Sequence, residues 1–337
     1  MSMRRCLAGL AGFFFLAGMI PIRAADVPVA PEPVSNTYFS IEGGYVNLDA
    51  EKVQAFLSGP DSQGLSERFL NVSDGYYGRI ELGRMFDMGI FDGIGAYAQG
   101  WWTDKEDTSE TDISAALAYQ HNGNLRVNEL GCTADGQPCS TGEADLDRSL
   151  IEAGLRFFHD FGDEMNANGV SLGFEPFVAF IDENTKSTIG FTNGPFQPTS
   201  KRSSDLDATA FGALLALDAR HAILERTVLI TRIAAGAYYM DADADTDHTF
   251  IGGDSVSDGI SSDFVGFRGQ LALGVEQMLT DTFSVGVIGR LDYWSDYPTM
   301  DWTDFTPSKG SGSDNSIAEE DFLALSIGVR LSVQLGI

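Results

Sequence analysis

The sequence predicts an all-β fold, a single up-and-down antiparallel barrel that crosses a lipid bilayer with about ten strands. Three observations predict it. Apolar side chains occupy every odd position from Leu323 to Ile337, and small or polar residues lie between them, which is the period of a strand with one apolar face. No segment after residue 24 has the roughly 20 continuous apolar residues of a membrane helix. Short and long links alternate between the predicted strands, as in outer-membrane barrels.

The first 24 residues resemble a secretory signal, with Arg4 and Arg5, an apolar stretch from Leu7 to Ile20 and a small residue at Ala24. We expect cleavage after Ala24. Residues 25–36 are rich in proline and predict an extended periplasmic lead-in. The predicted barrel then occupies residues 37–337.

Charge and cysteine content exclude several function classes. Without the three arginines of the signal, 18 basic and 49 acidic residues remain, a net charge of −31, so nucleic acid is not an expected partner. We expect no cofactor. Cys132 and Cys139 are the only cysteines after the signal, and in an oxidising compartment they predict a small disulfide-closed loop.

Runs with a period of two predict ten strands, with a two-residue turn at Thr280 and Asp281 before the ninth. An even number returns the C-terminus to the periplasmic side. Residues 111–120 and a partner in 121–130 would raise the count to twelve if they entered the wall, and a secreted β-sandwich is the alternative fold. The predicted strands are 37–48, 75–86, 92–103, 147–160, 169–182, 206–218, 226–240, 263–279, 282–294 and 321–336.

Aromatic residues cluster at predicted strand ends, where interfacial girdles are expected. Four adjacent pairs fall at the outer rim, and phenylalanines fall near the opposite rim. The pairs are Tyr76–Tyr77, Trp101–Trp102, Tyr238–Tyr239 and Tyr293–Trp294, and the phenylalanines are Phe86, Phe157, Phe158 and Phe283.

The polar face of each strand assigns a lining with both signs of charge. These side chains either form salt-bridged networks that plug the lumen or line a water-filled pore as opposing ladders, and ten strands lie near the filled end of the size range. The predicted lining residues are Arg79, Glu81, Glu152, Arg156, Glu175, Arg232, Arg268, Glu276, Arg290, Asp292 and Arg330.

The predicted outer loops hold 28 acidic residues against 8 lysines or arginines, which would concentrate cations at the mouth. The densest part contains Asp241, Asp243, Asp245 and Asp247. Alternating carboxylates are similar to Ca²⁺ ligand sets, but the Gly and distal Glu of an EF-hand are missing, so a solvated acidic loop is favoured over a metal site. The histidines fall in predicted loops, turns or the periplasmic rim, where no serine is predicted within reach, and we expect no enzymatic activity.

The opening strand Tyr38–Tyr45 and the alternating closing strand resemble those of Gram-negative outer-membrane β-barrel proteins. The strand Gly266–Gly274, followed by a tight turn and a second glycine-rich strand, is loosely similar to the pore-forming major outer-membrane proteins of the Legionella type and to alphaproteobacterial surface barrels. Such families usually end in Phe, which the assembly machinery reads, whereas this chain ends in Ile337.

The strand number is also similar to that of the omptin outer-membrane proteases. In this chain Asp247 and His248 are adjacent, rather than spaced as in the Asp-x-His motif of that family, and the sequence shows no clear match to a facing acidic pair. The departure argues against protease activity.

The predicted location is the outer membrane of a Gram-negative bacterium, with its lipid, lipopolysaccharide and, through the C-terminal strand, the barrel-assembly machinery as partners. The first functional hypothesis is a narrow, cation-preferring diffusion pore. The second is a closed structural or adhesive surface barrel with acidic loops, and the third is a loop-borne hydrolase. Ion conduction distinguishes the first two, and the oligomeric state is left open.

Overall fold

A computed structural model describes residues 37–49, 53–59, 66–70, 73–86, 91–103, 105–121, 124–130, 140–161, 168–191, 199–250, 253–302 and 315–335. The predicted signal, the lead-in, and Cys132 and Cys139 lie outside these residues. Within them, no helix has the length and apolar character needed to span a membrane.

Fourteen strands are present in the described residues. They are β1 Thr37–Asp49, β2 Val53–Gly59, β3 Ser66–Leu70, β4 Asp74–Met85, β5 Gly93–Thr103, β6 Glu106–His121, β7 Asn124–Leu130, β8 Ser140–Asp160, β9 Gly169–Phe191, β10 Thr199–Leu224, β11 Thr227–Thr249, β12 Ser255–Met278, β13 Phe283–Asp301 and β14 Ser316–Leu335.

Ten of these strands close an antiparallel barrel. The ring runs β1-β4-β5-β8-β9-β10-β11-β12-β13-β14, and β14 pairs with β1 from Leu335↔Thr37 to Leu323↔Asp49. Each of the ten predicted strands lies within one strand of this ring, except for a single residue at some ends. The predicted ten-stranded barrel is therefore confirmed, and its closure leaves no open edge within the membrane.

The twelve-strand alternative is wrong for this chain, because the ring closes without residues 111–130. That segment forms most of β6 and all of β7, and β6 pairs with β8 only over residues 140–146, above the level where β5 pairs with β8. Strand β2 also pairs with β6, and β3 pairs with β2. These four strands, β2, β3, β6 and β7, extend the sheet on the side of the long links, beyond the ring.

Much of the two predicted outer links 183–205 and 241–262 is also strand. Strands β9 to β12 continue seven to nine residues past the predicted strand ends, and β10 and β11 pair without interruption from Lys201↔Thr249 to Ala222↔Val228. The alternation of Ala and Asp after residue 240 is itself a period of two: Ala242 and Ala244 are buried and the aspartates between them are exposed. The wall therefore rises above the membrane as an extracellular extension.

The outside of the ring carries an apolar belt. Alternate residues of β14, such as Leu325, Ile327 and Val329, are half exposed and point away from the lumen. The upper edge of the belt includes three exposed aromatic side chains side by side on neighbouring strands, because Tyr76 pairs with both Tyr45 and Trp102. An apolar band with aromatic girdles is the surface that a barrel presents to lipid.

Strand β13 separates from β12 above the belt but stays paired with β14, from Tyr297↔Glu320 to Asp301↔Ser316. A bulge interrupts its pairing with β14 between Trp294 and Tyr297, and Asp296 lies within it at φ 55°, a left-handed conformation that Asp tolerates better than most residues. After the bulge, Tyr297, Thr299 and Met300 are buried inside the extension. The bulge therefore directs the end of β13 across the top of the lumen.

Candidate functional site: the filled lumen and the acidic exterior

The eleven predicted lining residues all lie inside the barrel, and the structure brings them into one layer of ion pairs. Ion pairs of 4.0 Å or less join seven arginines to seven carboxylates in this layer. Three members were not predicted: Glu42, Asp218 and Arg220. Glu42 alternates with Ser40 on β1, so the period-two pattern of that strand contained the signal.

One part of the layer is held by Arg156. This guanidinium lies 3.2 Å from Glu81, 3.3 Å from Glu175 and 2.6 Å from Asp218. Glu175 and Asp218 also contact Arg232. Because each cation faces two or more anions, the charges neutralise one another without solvent.

A second part is centred on Arg268, which is fully buried. It contacts Glu152 at 2.7 Å and Asp292 at 2.6 Å. Its guanidinium also lies 4.1 Å from the Trp294 ring centroid. Gln99 links this part to Arg79, since its amide donates to Glu152 at 2.9 Å and accepts from Arg79 at 2.6 Å.

A third part lies towards the periplasmic end. Arg290 contacts Glu42 at 2.7 Å, and Arg330 lies between Glu42 and Glu276, at 3.6 and 3.1 Å. Arg220 contacts Glu276 at 3.3 Å. Together the three parts balance seven positive charges with seven negative charges across the lumen.

An aromatic layer covers the charged layer on its extracellular side. In each predicted rim pair the first or second residue points inward: Tyr77, Trp101, Tyr238 and Trp294 are buried, while their neighbours face lipid. Only one residue of each pair at the predicted outer rim therefore belongs to the girdle. Successive strand residues face opposite sides, so each pair contributes one ring to the girdle and one to the lumen. Phe158, predicted at the opposite rim, likewise points inward against Gly93.

The rings of this layer stack across the lumen. The ring centroids of Trp101 and Tyr297 lie 5.3 and 4.4 Å from that of Phe322, and both rings are nearly parallel to it. Trp294 packs edge-on against Phe177 at 5.8 Å. These contacts close the space above the ion pairs with apolar surface.

A buried ion pair ties the end of β13 to the opposite wall. Glu183 on β9 accepts from Arg148 Nε at 2.6 Å, from Thr299 Oγ1 at 3.1 Å and from the Met300 amide at 3.0 Å. Arg148 Nη2 also donates to Thr299 Oγ1 at 3.0 Å. One carboxylate therefore fixes the inward segment of β13.

The extension is filled by its own apolar core. Phe56 of β2 and Leu117 of β6 are buried there with residues of the wall strands. Arg202 donates to the carbonyls of Gln54 and Ala55 at 2.8 and 2.9 Å, and its guanidinium stacks 4.2 Å from the Trp302 ring. Burial lowers the pKa of Arg202 to about 9.

Two small cavities adjoin the charged layer. The first, of about 180 Å³, opens at the periplasmic end between Tyr38, Arg156, Arg220 and Arg330. The second, of about 50 Å³, lies between the charged and aromatic layers beside Gln99. Each cavity can hold water. The charged layer itself is closed at Arg79, Glu81 and Glu152, whose side chains have almost no accessible surface.

The acidic exterior forms just above the belt. Asp241, Asp243, Asp245 and Asp247 are all exposed on the outer face of β11. Successive members are two residues apart along a strand, about 7 Å, which is too far for one ion to bind them all. Across the described residues, no group of three His, Cys, Asp or Glu side chains is arranged to hold a metal ion.

Like charges also face one another across strands. Asp207 pairs in register with Asp182 on one side and Asp243 on the other, and directly opposed like charges are destabilising. Partial burial and then the charge of Asp207 raise the pKa of Asp182, and partial burial likewise raises the pKa of Asp147. The acidic exterior therefore costs stability when it is ionised.

Acidification is expected to stabilise the extension. A carboxyl whose folded-state pKa is raised favours the folded state below its unfolded pKa, near 4, and loses that contribution as pH rises through the folded value. Asp182→Asn is therefore expected to be more stable than the wild type at pH 7 and to show a weaker pH dependence between pH 4 and 7. Urea unfolding midpoints at several pH values measure this. If the midpoints of the wild type and of Asp182→Asn change equally with pH, the expectation is contradicted.

The histidines do not assemble an acid–base site with the residues considered from the sequence. His248 lies on β11 rather than in a loop, and it is buried with Ser200 Oγ 3.2 Å from its Nε2. Burial, and then the charge of Arg202, lowers the pKa of His248 to about 3. Asp247 points to the opposite face and accepts from Ser257, so the adjacent Asp and His diverge. At the periplasmic rim, His159 Nδ1 lies 2.7 Å from Asp92.

Comparison with known proteins yields structural similarities only. The chain is similar to the outer membrane protease OmpT from Escherichia coli, at 11% identity and a TM-score of 0.48 over 92% of this chain and 99% of that chain. It is also similar to the outer membrane protein OprG from Pseudomonas aeruginosa, at 14% identity and a TM-score of 0.27, over 89% of this chain and 98% of that chain. A third similar structure is a FadL homologue from P. aeruginosa, at 8% identity and a TM-score of 0.25, over 89% of this chain and 90% of that chain.

No protein-family model matches the sequence, and no curated protein matches it. The strand register and surface of the chain itself define its class. A closed antiparallel wall of ten strands, an apolar outer belt and aromatic girdles are the features of a Gram-negative outer-membrane β-barrel.

Proposed function

We propose that the protein is a closed surface barrel, in which the wall anchors an acidic extracellular β-extension and the lumen does not conduct. The observation that carries this proposal is the charged layer. Its seven arginines and seven carboxylates are paired with one another, and Arg268, Glu152 and Glu175 have no accessible surface. A conducting pore needs lining charges that water can reach, whereas these charges solvate one another.

The layers above the ion pairs support the same function. An ion leaving the charged layer would meet the stacked rings around Phe322, then the segment held by Glu183, then the core around Phe56. Each is apolar or held by a buried ion pair, so passage requires several independent rearrangements. The extension is then best understood as a platform that presents its outer surface.

A narrow, cation-preferring pore is the second candidate, and it is what similarity to Legionella-type porins implies. The two cavities on either side of the charged layer favour it, since Arg156, Arg330 and Asp292 are partly exposed to them. Conduction would require the side chains between the cavities to move apart. The acidic exterior would then bias the current towards cations.

The loop-borne hydrolase is not proposed. Its best pair in the described residues is Ser200 and His248, which are both fully buried, and a general base must reach a substrate proton. The lowered pKa of His248 also makes it a poor base at neutral pH.

Solute efflux from vesicles tests the proposed function. Refolded protein, with folding shown by β-sheet circular dichroism and by resistance of the barrel to SDS at room temperature, is expected to release trapped K⁺ and glucose no faster than protein-free vesicles. An open porin reconstituted at the same density is the positive control. Release that scales with the amount of folded protein would support the pore instead.

A further inference from the structure

Half of strand β12 has one neighbour instead of two. It pairs with β11 from Ser255↔Thr249 to Gln277↔Thr227, but with β13 only from Arg268↔Trp294 downward. The bulge after Trp294 takes β13 into the lumen, so the described chain places no strand beside β12 above Phe267. Within the residues that the structure describes, one long edge of the extension is therefore open.

Two hydrogen bonds show which backbone groups face this edge. The Phe267 amide donates to Ser295 Oγ, on the β13 side, at 2.8 Å, whereas the Asp258 carbonyl accepts from Thr246 on the β11 side. Because the N–H and C=O of successive strand residues point to alternate sides, the odd-numbered residues face the open edge. They are Ser257, Gly259, Ser261, Asp263 and Val265.

The edge has few of the features that usually protect a free strand. Between Ser255 and Phe267 there is no Lys, Arg or Pro, and the charged residues are Asp258 and Asp263. The outward side chains at 257, 259 and 261 are small and exposed, and five residues is an ordinary length for a strand pair. An extended chain could thus approach the edge without displacing a large side chain.

The surroundings of the edge indicate the charge of a partner. Asp263 is on the edge strand, and the aspartates of β11 from Asp241 to Asp247 are exposed on the same face one strand away. A second copy of this chain would bring two such acidic surfaces together, and they would repel each other. Two barrels in one membrane would also align their β12 strands in parallel, the less stable of the two pairing modes. A basic, extended polypeptide avoids both the repulsion and the parallel alignment.

We propose that the open edge of β12 binds an extended basic segment of a partner protein by strand addition. Backbone hydrogen bonds to the five odd-numbered residues supply the affinity, and alternate Lys or Arg side chains of the segment face the aspartates of β11. The inference deepens the proposed surface function, because it uses the extension as the platform and names what it presents.

Hydrogen exchange with a model peptide tests the proposal on the full mature chain refolded in detergent. The probe is an acetylated nonapeptide of alternating Lys and Thr, and the control is the same peptide with Glu for Lys. Without peptide, the amides at 257, 259, 261, 263 and 265 should exchange rapidly while those of even-numbered neighbours are protected. The Lys peptide should slow the odd-numbered amides at least tenfold, and the Glu peptide should not.

Two variants separate strand addition from charge attraction. Ser261→Pro removes an amide on the open side only, so the β11 ladder is retained, and it should weaken binding of the Lys peptide at least tenfold in fluorescence anisotropy. Ser261→Ala retains the amide and should bind as the wild type does. Binding of the Lys peptide should also weaken as salt is raised.

Three results would overturn the proposal: protection of the odd-numbered amides without peptide, equal binding by Ser261→Pro and Ser261→Ala, or equal binding of the Glu peptide. Solute efflux from vesicles is measured on the same preparation as a separate test of the closed lumen. Peptide binding by a conducting protein would contradict the closed barrel but not the edge, and a silent protein that fails to bind would contradict only the edge.

Discussion

Arg268→Ala is expected to lower the free energy of unfolding by about 3–5 kcal/mol, the cost of removing one partner from a buried charge cluster. Arg268 is fully buried and contacts Glu152 at 2.7 Å and Asp292 at 2.6 Å. Without it, the equally buried Glu152 loses its counterion. Urea unfolding of the refolded protein in lipid vesicles, followed by tryptophan fluorescence, measures the change.

Arg220→Ala is the matched control for this prediction. Arg220 belongs to the same layer and contacts Glu276 at 3.3 Å, but 42% of its side chain is exposed at the periplasmic cavity, so the loss should be at most about 1 kcal/mol. The double variant Arg268→Ala/Glu152→Ala should lose less than the sum of the single variants, since neither then leaves a lone buried charge. Equal effects at Arg268 and Arg220 would mean that water reaches Arg268 and that the layer is not sealed.

Glu183→Ala is expected to have the second large effect, again about 3–5 kcal/mol. Its carboxylate is fully buried and binds Arg148, Thr299 and the Met300 amide. The substitution removes the carboxylate that contacts the Arg148 guanidinium and breaks the link between β9 and the inward segment of β13. Unfolding midpoints should fall, and the Met300 amide should exchange with solvent much faster than in the wild type.

The neighbouring carboxylate provides the control. Asp182 is one residue away on the same strand but is exposed on the outer face. Asp182→Ala removes the same charge and should be neutral or slightly stabilising, because Asp207 and other acids surround that position. If the two variants have equal stability, or if Met300 exchange is unchanged in Glu183→Ala, the carboxylate does not hold β13 in place.

The ring of the barrel could be predicted from sequence because its strands obey one simple rule. Strands in lipid must alternate apolar and polar side chains without interruption, so β14 could be recognised from Leu323, Leu325 and Ile327 onwards. The same alternation assigned the eleven charged residues to the interior. Their pairing could not be predicted, because it depends on which side chains meet across the lumen from strands far apart in sequence.

The inner aromatic rings and the extension were not predicted, although the sequence pattern contains both. Adjacent rings such as Tyr238 and Tyr239 must face opposite sides of a strand, so the inner aromatic layer was implied by the pattern but was not drawn from it. The alternation of Ala and Asp on β11 was also a strand signal, obscured by its high charge. Strands above the membrane do not contact lipid, so their outer faces need not be apolar and the alternation that identifies membrane strands is absent.

The inward turn of β13 had no sequence signal of this kind. It depends on a bulge of two residues and on Asp296 in a left-handed conformation, and many sequences accommodate such a bulge. Both the closure of the upper lumen and the open edge of β12 follow from this one local feature. They could be found only when the strand register was known.

Single-channel recording of the refolded mature chain in a planar bilayer, with a salt gradient across it, tests the closed lumen most directly. With folding shown on the same sample, the account predicts no unitary current steps above the noise at moderate voltage, under conditions where an open porin conducts. Discrete steps with a cation-biased reversal potential would contradict it and would establish the charged layer as the lining of a narrow pore.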